Sequence, residues 1–387
     1  MSLEVSVVMP CLNEARTVGT CVQKALNSLR ELKIEGEVLV ADNGSTDGSQ
    51  TIAREAGARV VTIPRKGYGA AYLGGIPAAQ GKFIVIGDSD DTYDFTDLER
   101  FITPLRQGYD FVIGNRLKGK IEKGAMPWLN RYIGNPFLSG FLNLLFKTGV
   151  GDAHCGMRSF TRQAFFRMQL RTMGMEFASE MVVKASQAGL KIKEIPSTLH
   201  RSKFSRTPHL RPIPDGWRHL RFMLIYSPTH LFIFPGIFLL TIGFILLLAL
   251  LGGPLKIGTH AFDYHFMVLG SLLSILGFQV INLGIYAKAY SIYEKLIPED
   301  SFLKGFYRWF TLEKGIYGGL LLVGIGMTIM FYLLAKYIWG HLVFELRLAI
   351  FSMTLIVLGV QIIFSSFLLS LMTTSPKPDI VDFQPEE

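Results

Sequence analysis

Two patterns of hydrophobic and polar positions divide the chain. In its first half, short apolar runs alternate with stretches whose apolar residues recur at helical spacing. Residues 5–9 are a β-branched strand ending at Pro10. Over 14–32, Val18, Val22, Ala25, Leu26 and Leu29 fall on one helical stripe. Residues 38–40 form the next buried strand, running into Asp42, and 45–56 a helix with Ser45 as its cap. A strand at 59–63, a helix at 69–79, a fourth strand at 83–86 and a fifth at 111–113 continue the alternation. Such alternation predicts an α/β, Rossmann-like domain with a largely parallel sheet covered on both faces. Ligands of these sheets collect at the carboxyl ends of the strands. Asn13, Glu14, Asp42, Asn43, Lys66, Asp88, Asp90 and Asp91 all fall there.

The pattern then changes. Residues 126–146 set Trp128, Leu129, Ile133, Phe137, Leu138, Phe141, Leu142 and Leu145 against Arg131, Asn135 and Asn143. This amphipathic segment suits a membrane interface or a helix packed on the sheet. Residues 215–226 are amphipathic too, with Arg218 and Arg221 among apolar positions just before a membrane span. Four apolar spans follow at about 231–251, 266–287, 316–337 and 348–371, each near the roughly 20 residues that cross a bilayer. The connection between the second and third spans carries Lys288, Lys295, Lys304, Arg308 and Lys314, whereas that between the first and second has only Lys256. The positive-inside rule therefore puts the richer connection and the N-terminal domain in the cytoplasm of a multi-pass integral membrane protein. The expected divisions are a catalytic domain at 1–205, a juxtamembrane amphipathic segment at 206–229, an all-α membrane domain of four helices at 230–373 and a cytoplasmic tail at 374–387.

Composition agrees with two solvents for one chain: 49% of the 387 residues are hydrophobic and 18% charged. The net charge of +8 is concentrated between His200 and Arg221, ahead of the first span, which points to lipid headgroups. No nucleic-acid-binding module is present. Three cysteines, Cys11, Cys21 and Cys155, lack metal-ligand spacing and read as buried thiols. The N-terminus has no basic region of the kind that opens a signal peptide.

Candidate chemistry begins with the acidic loop Gly87-Asp88-Ser89-Asp90-Asp91-Thr92-Tyr93-Asp94. Carboxylates at Asp88 and Asp90 straddle one residue at a strand end. That spacing lets both reach one Mg²⁺ or Mn²⁺, hard cations that also share phosphate oxygens and neutralise a diphosphate leaving group. In the segment Asp42-Asn43-Gly44-Ser45-Thr46-Asp47-Gly48, a carboxylate can accept hydrogen bonds from a base or ribose, and Gly44 permits a tight turn. Between Pro10 and Glu14 the first strand gives way to a helix, and Glu14 can likewise hold a base or ribose.

Val7-Val8-Met9-Pro10-x-x-Asn13-Glu14, then Asp42-x-Gly44-Ser45-x-Asp47, then Asp88-x-Asp90, resembles the family 2 glycosyltransferases over about the first 200 residues. The resemblance implies the GT-A fold. It is strongest to the polyprenyl-phosphate branch, through Arg65-Lys66-Gly67-Tyr68-Gly69-Ala70-Ala71, Asp152-x-x-Cys155-Gly156-Met157-Arg158, and Glu194-Ile195-Pro196 followed by His200-Arg201. What it implies is a set of roles. Pro10, Asn13, Glu14, Asp42, Gly44 and Lys66 would bind the nucleotide sugar, Asp88 and Asp90 the metal and diphosphate, and Arg116, Arg131 and Arg158 the acceptor phosphate. Asp90, Arg116 and Arg131 would act in catalysis. Where the branch often has a glutamine two residues after the second acidic residue, this chain has Thr92, with Asp91 and Asp94 nearby.

The expected reaction is hexosyl transfer from UDP-glucose, GDP-mannose or UDP-N-acetylglucosamine to undecaprenyl or dolichyl phosphate. A phosphate monoester is already anionic near neutral pH, so positioning and charge balance replace a strong base, and direct attack inverts the anomeric carbon. The spans can guide the prenyl chain, join subunits of a homo-oligomer or help move product. Two rivals fit less well. A processive polysaccharide synthase would carry Gln-x-x-Arg-Trp in its catalytic domain, whereas Arg308-Trp309 lies beyond two spans with Gly305 in the glutamine's place. A lipid-linked sugar flippase would favour charges within its spans, which offer chiefly Gln279, Asn282 and Gln361 as polar interruptions.

Overall fold

The computed structural model of the chain describes residues 3–202, 212–258, 260–294, 297, 305, 310–339 and 345–374. The chain divides into two compact units, Met1–Met223 and Leu224–Glu387.

The first unit is built on a seven-stranded sheet. Its strands are β1 (Val5–Cys11), β2 (Gly36–Asp42), β3 (Arg59–Thr62), β4 (Phe83–Ile86), β5 (Phe111–Asn115), β6 (Arg158–Thr161) and β7 (Ile192–Pro196), in the order β3-β2-β1-β4-β6-β5-β7. The central strands are parallel, Val8 pairing with Leu39 on one side and Ile86 on the other. Their β-branched runs are buried on both faces, as a sheet covered by helices requires. The covering helices are α1 (Val18–Glu31), α2 (Ser49–Glu55), α3 (Tyr68–Ala78), α4 (Glu99–Arg106), α5 (Asn135–Phe146), α6 (Arg162–Met168) and α7 (Phe177–Gln187).

β6 departs from the expected pattern. It runs antiparallel between β4 and β5, and its sequence Arg-Ser-Phe-Thr has no apolar run to announce a central strand. Polar groups are satisfied there instead of excluded: the Ser159 hydroxyl donates to the Phe101 carbonyl at 2.7 Å. The expected cap at Ser45 is also corrected. α2 starts four residues later, after Gly48 at φ 89°, because residues 42–48 are drawn into a loop around Asp42.

The amphipathic segment forms a π-helical turn (Asn130–Gly134) leading into α5. Only Ser139 and Leu142 of α5 are buried. Trp128 is 67% exposed, and Leu129, Tyr132, Ile133 and Phe137 are exposed with it. Helix α8 (Pro212–Ile225) covers most of the second amphipathic stretch. It is attached to the first unit through His219, whose Nδ1 lies 2.8 Å from the Ser179 hydroxyl of α7. Residues 203–211, which end the expected catalytic domain and open the expected juxtamembrane segment, and the tail beyond Thr374 lie outside the described residues.

The second unit has four long apolar helices, spanning Thr229–Leu251, Tyr264–Tyr293, Leu312–Ile338 and Leu346–Met372. A π-helical turn (Thr229–Ile233) leads into α9 (Phe234–Leu251), followed by a two-stranded hairpin, β8 (Leu255–Ile257) and β9 (His260–Phe262). α10 (Tyr264–Tyr293), α11 (Leu312–Ile338) and α12 (Leu346–Thr374) complete it. α9 and α10 approach through glycines: a Cβ on Gly243 would lie 2.6 Å from the Gly270 carbonyl oxygen, and one on Gly277 2.7 Å from that of Gly236. Small residues of this kind let helix backbones meet where no hydrophobic force separates lipid from protein.

Candidate active site

Three loops meet at the carboxyl ends of β1, β2 and β4. The β2 loop folds around Asp42, whose buried carboxylate accepts the backbone N–H of Gly44 at 3.0 Å and of Ser45 at 3.2 Å and the Gln50 amide at 2.6 Å. Gly44 takes φ 91° in this turn. The β1 loop docks on it. Asn13, at φ 59°, accepts the Thr46 N–H at 2.9 Å, and its own N–H donates to the Ser45 hydroxyl at 3.0 Å. The Glu14 N–H donates to the Ser49 hydroxyl at 2.9 Å, and the Glu14 carboxylate accepts from Thr17 at 3.2 Å. The acidic loop joins them through Ser89, which donates to the Pro10 carbonyl at 2.6 Å.

The basic, glycine-rich segment completes the cluster. The Lys66 ammonium donates to the Asn43 carbonyl at 2.7 Å, and a Cβ on Gly44 would fall 2.1 Å from that nitrogen. Glycine at 44 suits the left-handed φ of 91° in the turn against which the cation lies. The Tyr68 hydroxyl donates to Asp88 at 3.0 Å. Pro10, Asn13, Glu14, Asp42, Gly44, Lys66, Asp88 and Asp90 therefore come together, as the motif order implied.

The acidic loop assigns different work to its carboxylates. Burial, and then the neighbouring Asp90 charge, push the Asp88 carboxyl up to about 7, against the opposing pull of Tyr68, Arg116 and Arg158. Burial raises Asp90 as well, although Thr92 donates to it from its hydroxyl at 2.5 Å and its N–H at 3.1 Å. Both Thr92 bonds fall on Oδ1. Two half-compensated carboxylates one residue apart favour a shared cation. Their oxygens, with diphosphate and water oxygens added, suit Mg²⁺ or Mn²⁺. No set of three or more His, Cys, Asp or Glu side chains with metal-site geometry occurs among the described residues, so substrate oxygens would have to complete the shell. Asp91 turns the other way, at φ 58°, and pairs with Lys24 of α1 at 2.5 Å. Asp94 caps Thr96 at 3.0 Å and faces His200 at 4.0 Å. His200 also lies 3.0 Å from Glu122 and donates its backbone N–H to the Thr92 carbonyl at 2.9 Å.

The three arginines have different surroundings. Arg116, at the end of β5, forms a buried fork-on-fork pair with Asp152, 2.8 Å for both Nε and Nη2. Burial alone would raise Asp152, but the Arg116 charge and hydrogen bonds outweigh it and hold the carboxyl below its ordinary value. Glu194 fixes the same loop, accepting the N–H groups of Gly151 at 2.6 Å and Asp152 at 3.0 Å. Arg158 requires a correction. It is 2% exposed, and its Nε, Nη1 and Nη2 each donate at 2.8 Å, to the carbonyls of Cys155, Ala178 and Ala153. Three of its five N–H donors are held by backbone carbonyls in this buried setting, so it ties the loop together and lends charge to Asp88, a placement unlike that of an open phosphate-gripping fork. Arg131 stands on the exposed π-helical turn, 5.3 Å over the Tyr132 ring. No hydrogen bond or ion pair among the described residues ties it to the acidic cluster.

In the sequence Tyr68 is a member of the basic, glycine-rich segment with no role implied, and Thr92 is a departure from the branch's pattern. Each touches a metal-candidate carboxylate, and the tyrosine's place in the glycine-rich segment was the available signal. The Arg116–Asp152 pair had no such signal, because its partners are 36 residues apart.

Comparison with known proteins bears on this site. Residues 6–167 match Glycosyl transferase family 2, and 285–373 match the Glycosyltransferase family 2 C-terminal transmembrane region. The low-salt glycan biosynthesis hexosyltransferase Agl6 of Haloferax volcanii is 39% identical over 373 residues, which covers 94% of this chain and 88% of that protein. A dolichyl-phosphate hexose transferase of the same organism is 32% identical over 195 residues, 50% of this chain and 81% of the relative. Among solved structures, glucosyl-3-phosphoglycerate synthase from Mycobacterium tuberculosis, in complex with Mn²⁺, UDP-glucose and phosphoglyceric acid, aligns with a TM-score of 0.47 and 22% identity, covering 58% of this chain and 79% of that one.

Proposed function

Since the chain belongs to glycosyltransferase family 2, we propose that it moves a hexosyl group from a nucleotide diphosphate sugar to a polyprenyl phosphate, with inversion, at the cytoplasmic face of a membrane. The donor loops hold the nucleotide between the Pro10–Glu14 turn and the Asp42–Gly44 turn, with Lys66 toward the diphosphate. Asp88 and Asp90 hold a divalent cation that offsets charge on the departing diphosphate. Tyr68 and Thr92 aim those two carboxylates by hydrogen bonds.

The observation that carries the lipid half of this reading is the surface around Arg131. That guanidinium sits among exposed Trp128, Leu129, Tyr132 and Ile133, in the same compact unit as the acidic pair. A cation amid apolar and aromatic side chains suits a headgroup phosphate whose chain lies in hydrocarbon. Arg131 takes the acceptor phosphate directly. Arg116, its fork engaged by Asp152, contributes through charge and through the loop it fixes. The names of the two Haloferax relatives, one a hexosyltransferase of glycan biosynthesis and one a dolichyl-phosphate transferase, support the same assignment. The four spans keep the enzyme where such an acceptor resides.

Stereochemistry tests the single displacement. NMR of the hexosyl-phosphate product is expected to give the anomer opposite to the donor's; retention would exclude direct attack. Asp90→Ala is expected to abolish turnover, and an active variant would remove the cation from the account.

A further inference from the structure

Three consecutive residues, Asp152, Ala153 and His154, tie three different elements together. Asp152 holds the Arg116 fork at the end of β5. The Ala153 N–H donates to the Ser139 hydroxyl of α5 at 3.1 Å, and α5 continues the π-helical turn that bears Arg131. His154 reaches toward α8. Its Nε2 lies 3.1 Å from the buried Ser179 hydroxyl of α7, and that hydroxyl lies 2.8 Å from Nδ1 of His219. A serine hydroxyl can donate to one ring and accept from the other. The two imidazoles also meet edge to face, with centroids 4.5 Å apart. Burial pushes His219 down to about 4 and lowers His154 as well. Both rings are therefore neutral at neutral pH, and hydrogen bonds rather than charge hold the chain of three together.

Helix α8 is shaped for this attachment. Asp215, His219, Phe222 and Met223 recur at helical spacing and are buried, whereas Trp217, Arg218 and Arg221 are exposed. The outer face has the aromatic and cationic make-up of a helix lying on a lipid surface. Apolar contacts alone would seat such a helix loosely in register. A buried polar chain fixes it against one loop, and that loop is the one shared by Arg116 and the helix behind Arg131.

We propose that His219 is a positioning residue for the acceptor phosphate: through Ser179 and His154 it sets the 152–154 loop, which in turn sets Arg116 and the helix that carries Arg131. The assignment rests on the polyprenyl-phosphate reading given above. None of the contacts in this chain involves the Pro10–Glu14 turn, the Asp42–Gly44 turn or Lys66, so acceptor use and nucleotide binding respond separately to its loss.

Full-length protein in nanodiscs loaded with graded undecaprenyl or dolichyl phosphate, supplied with Mn²⁺ and UDP- or GDP-hexoses, reads the acceptor KM; titration with UDP and GDP reads the donor loops. His219→Phe keeps a ring but loses both nitrogens. It is expected to raise the acceptor KM about tenfold, the scale of one lost hydrogen bond, and to leave nucleotide affinity, and with it the fold, unchanged. Ser179→Ala breaks the same chain without added bulk and is expected to match it. The double variant is expected to be no worse than either single one, because both remove one coupled unit. His219→Asn returns a polar atom to the Nδ1 position and is expected to restore most of the acceptor KM. An unchanged acceptor KM in both single variants, equal losses for acceptor and nucleotide, multiplicative losses in the double variant, or an Asn variant as impaired as the Phe one would each overturn the role of His219 and leave the proposed function standing. Wild-type protein that transfers no hexose to either lipid would overturn the proposed function and this inference with it.

Discussion

At the residue scale the site is governed by how each charge is compensated. Arg116 and Asp152 compensate each other with two hydrogen bonds of 2.8 Å in a buried setting. Removing one member strands the other, which typically costs about 3–5 kcal/mol. Asp152→Asn is therefore expected to lower the unfolding midpoint strongly, and Arg116→Met combined with Asp152→Leu to recover much of the loss; denaturant melts of the two variants beside the wild type check this. Asp88 is compensated least. Its folded-state value, near 7 against an ordinary 3.8, means that the cation-free folded protein holds a proton there which the unfolded chain has released above about pH 4. The sign is that of a destabilising carboxylate: between about pH 4 and 7 it makes the cation-free protein less stable as pH rises. A divalent cation must displace that proton. Mn²⁺ affinity is accordingly expected to rise from pH 5 to 7 and then level off, with proton release on binding at pH 6. Calorimetric titrations in buffers of different ionisation enthalpy measure both, and pH-independent affinity would contradict a site at Asp88.

At the element scale, strands announced themselves where burial is achieved by apolar side chains. β1, β2 and β4 read directly from their β-branched runs, and the polar residues at their ends gave the donor loops. β6 did not, because Arg158 and Ser159 are buried by satisfying them with carbonyls, a solution invisible to an apolar pattern. The head of α2 was misjudged for a related reason: Ser45 looks like a cap, but its hydroxyl serves the Asn13 N–H 32 residues away. Arg158 looked like a phosphate ligand by its motif, and only the three carbonyls around it reveal its use. The transmembrane helices were evident from composition, whereas their glycine contacts were not read from it. Those contacts make a prediction. Gly243→Leu puts side-chain atoms where a Cβ alone would meet the Ser274 nitrogen at 2.4 Å. It is expected to part α9 from α10 and to lower the melting temperature in detergent, while Gly324→Leu, at a position where a Cβ meets nothing within 4 Å, leaves it unchanged.

At the scale of the whole molecule, one chain combines a unit with a nucleotide-sugar type of sheet and a unit with four helices able to cross a membrane. A soluble acceptor would give no use for those helices or for the exposed Trp128, Tyr132 and Phe137. The proposed lipid acceptor would give both a use: helices able to cross a bilayer would keep the enzyme where such an acceptor resides, and exposed rings beside Arg131 are of the amphipathic kind favoured in a headgroup layer. The most direct test incubates the purified full-length protein with Mg²⁺ or Mn²⁺, a panel of UDP- and GDP-hexoses and a polyprenyl phosphate, and analyses the lipid fraction by mass spectrometry. The expected product, for at least one donor, is a polyprenyl phosphate heavier by one hexosyl residue, formed only when lipid, donor and cation are all present. Sugar transfer to a water-soluble acceptor, with the polyprenyl phosphate recovered unmodified alongside every donor, would contradict the proposed function.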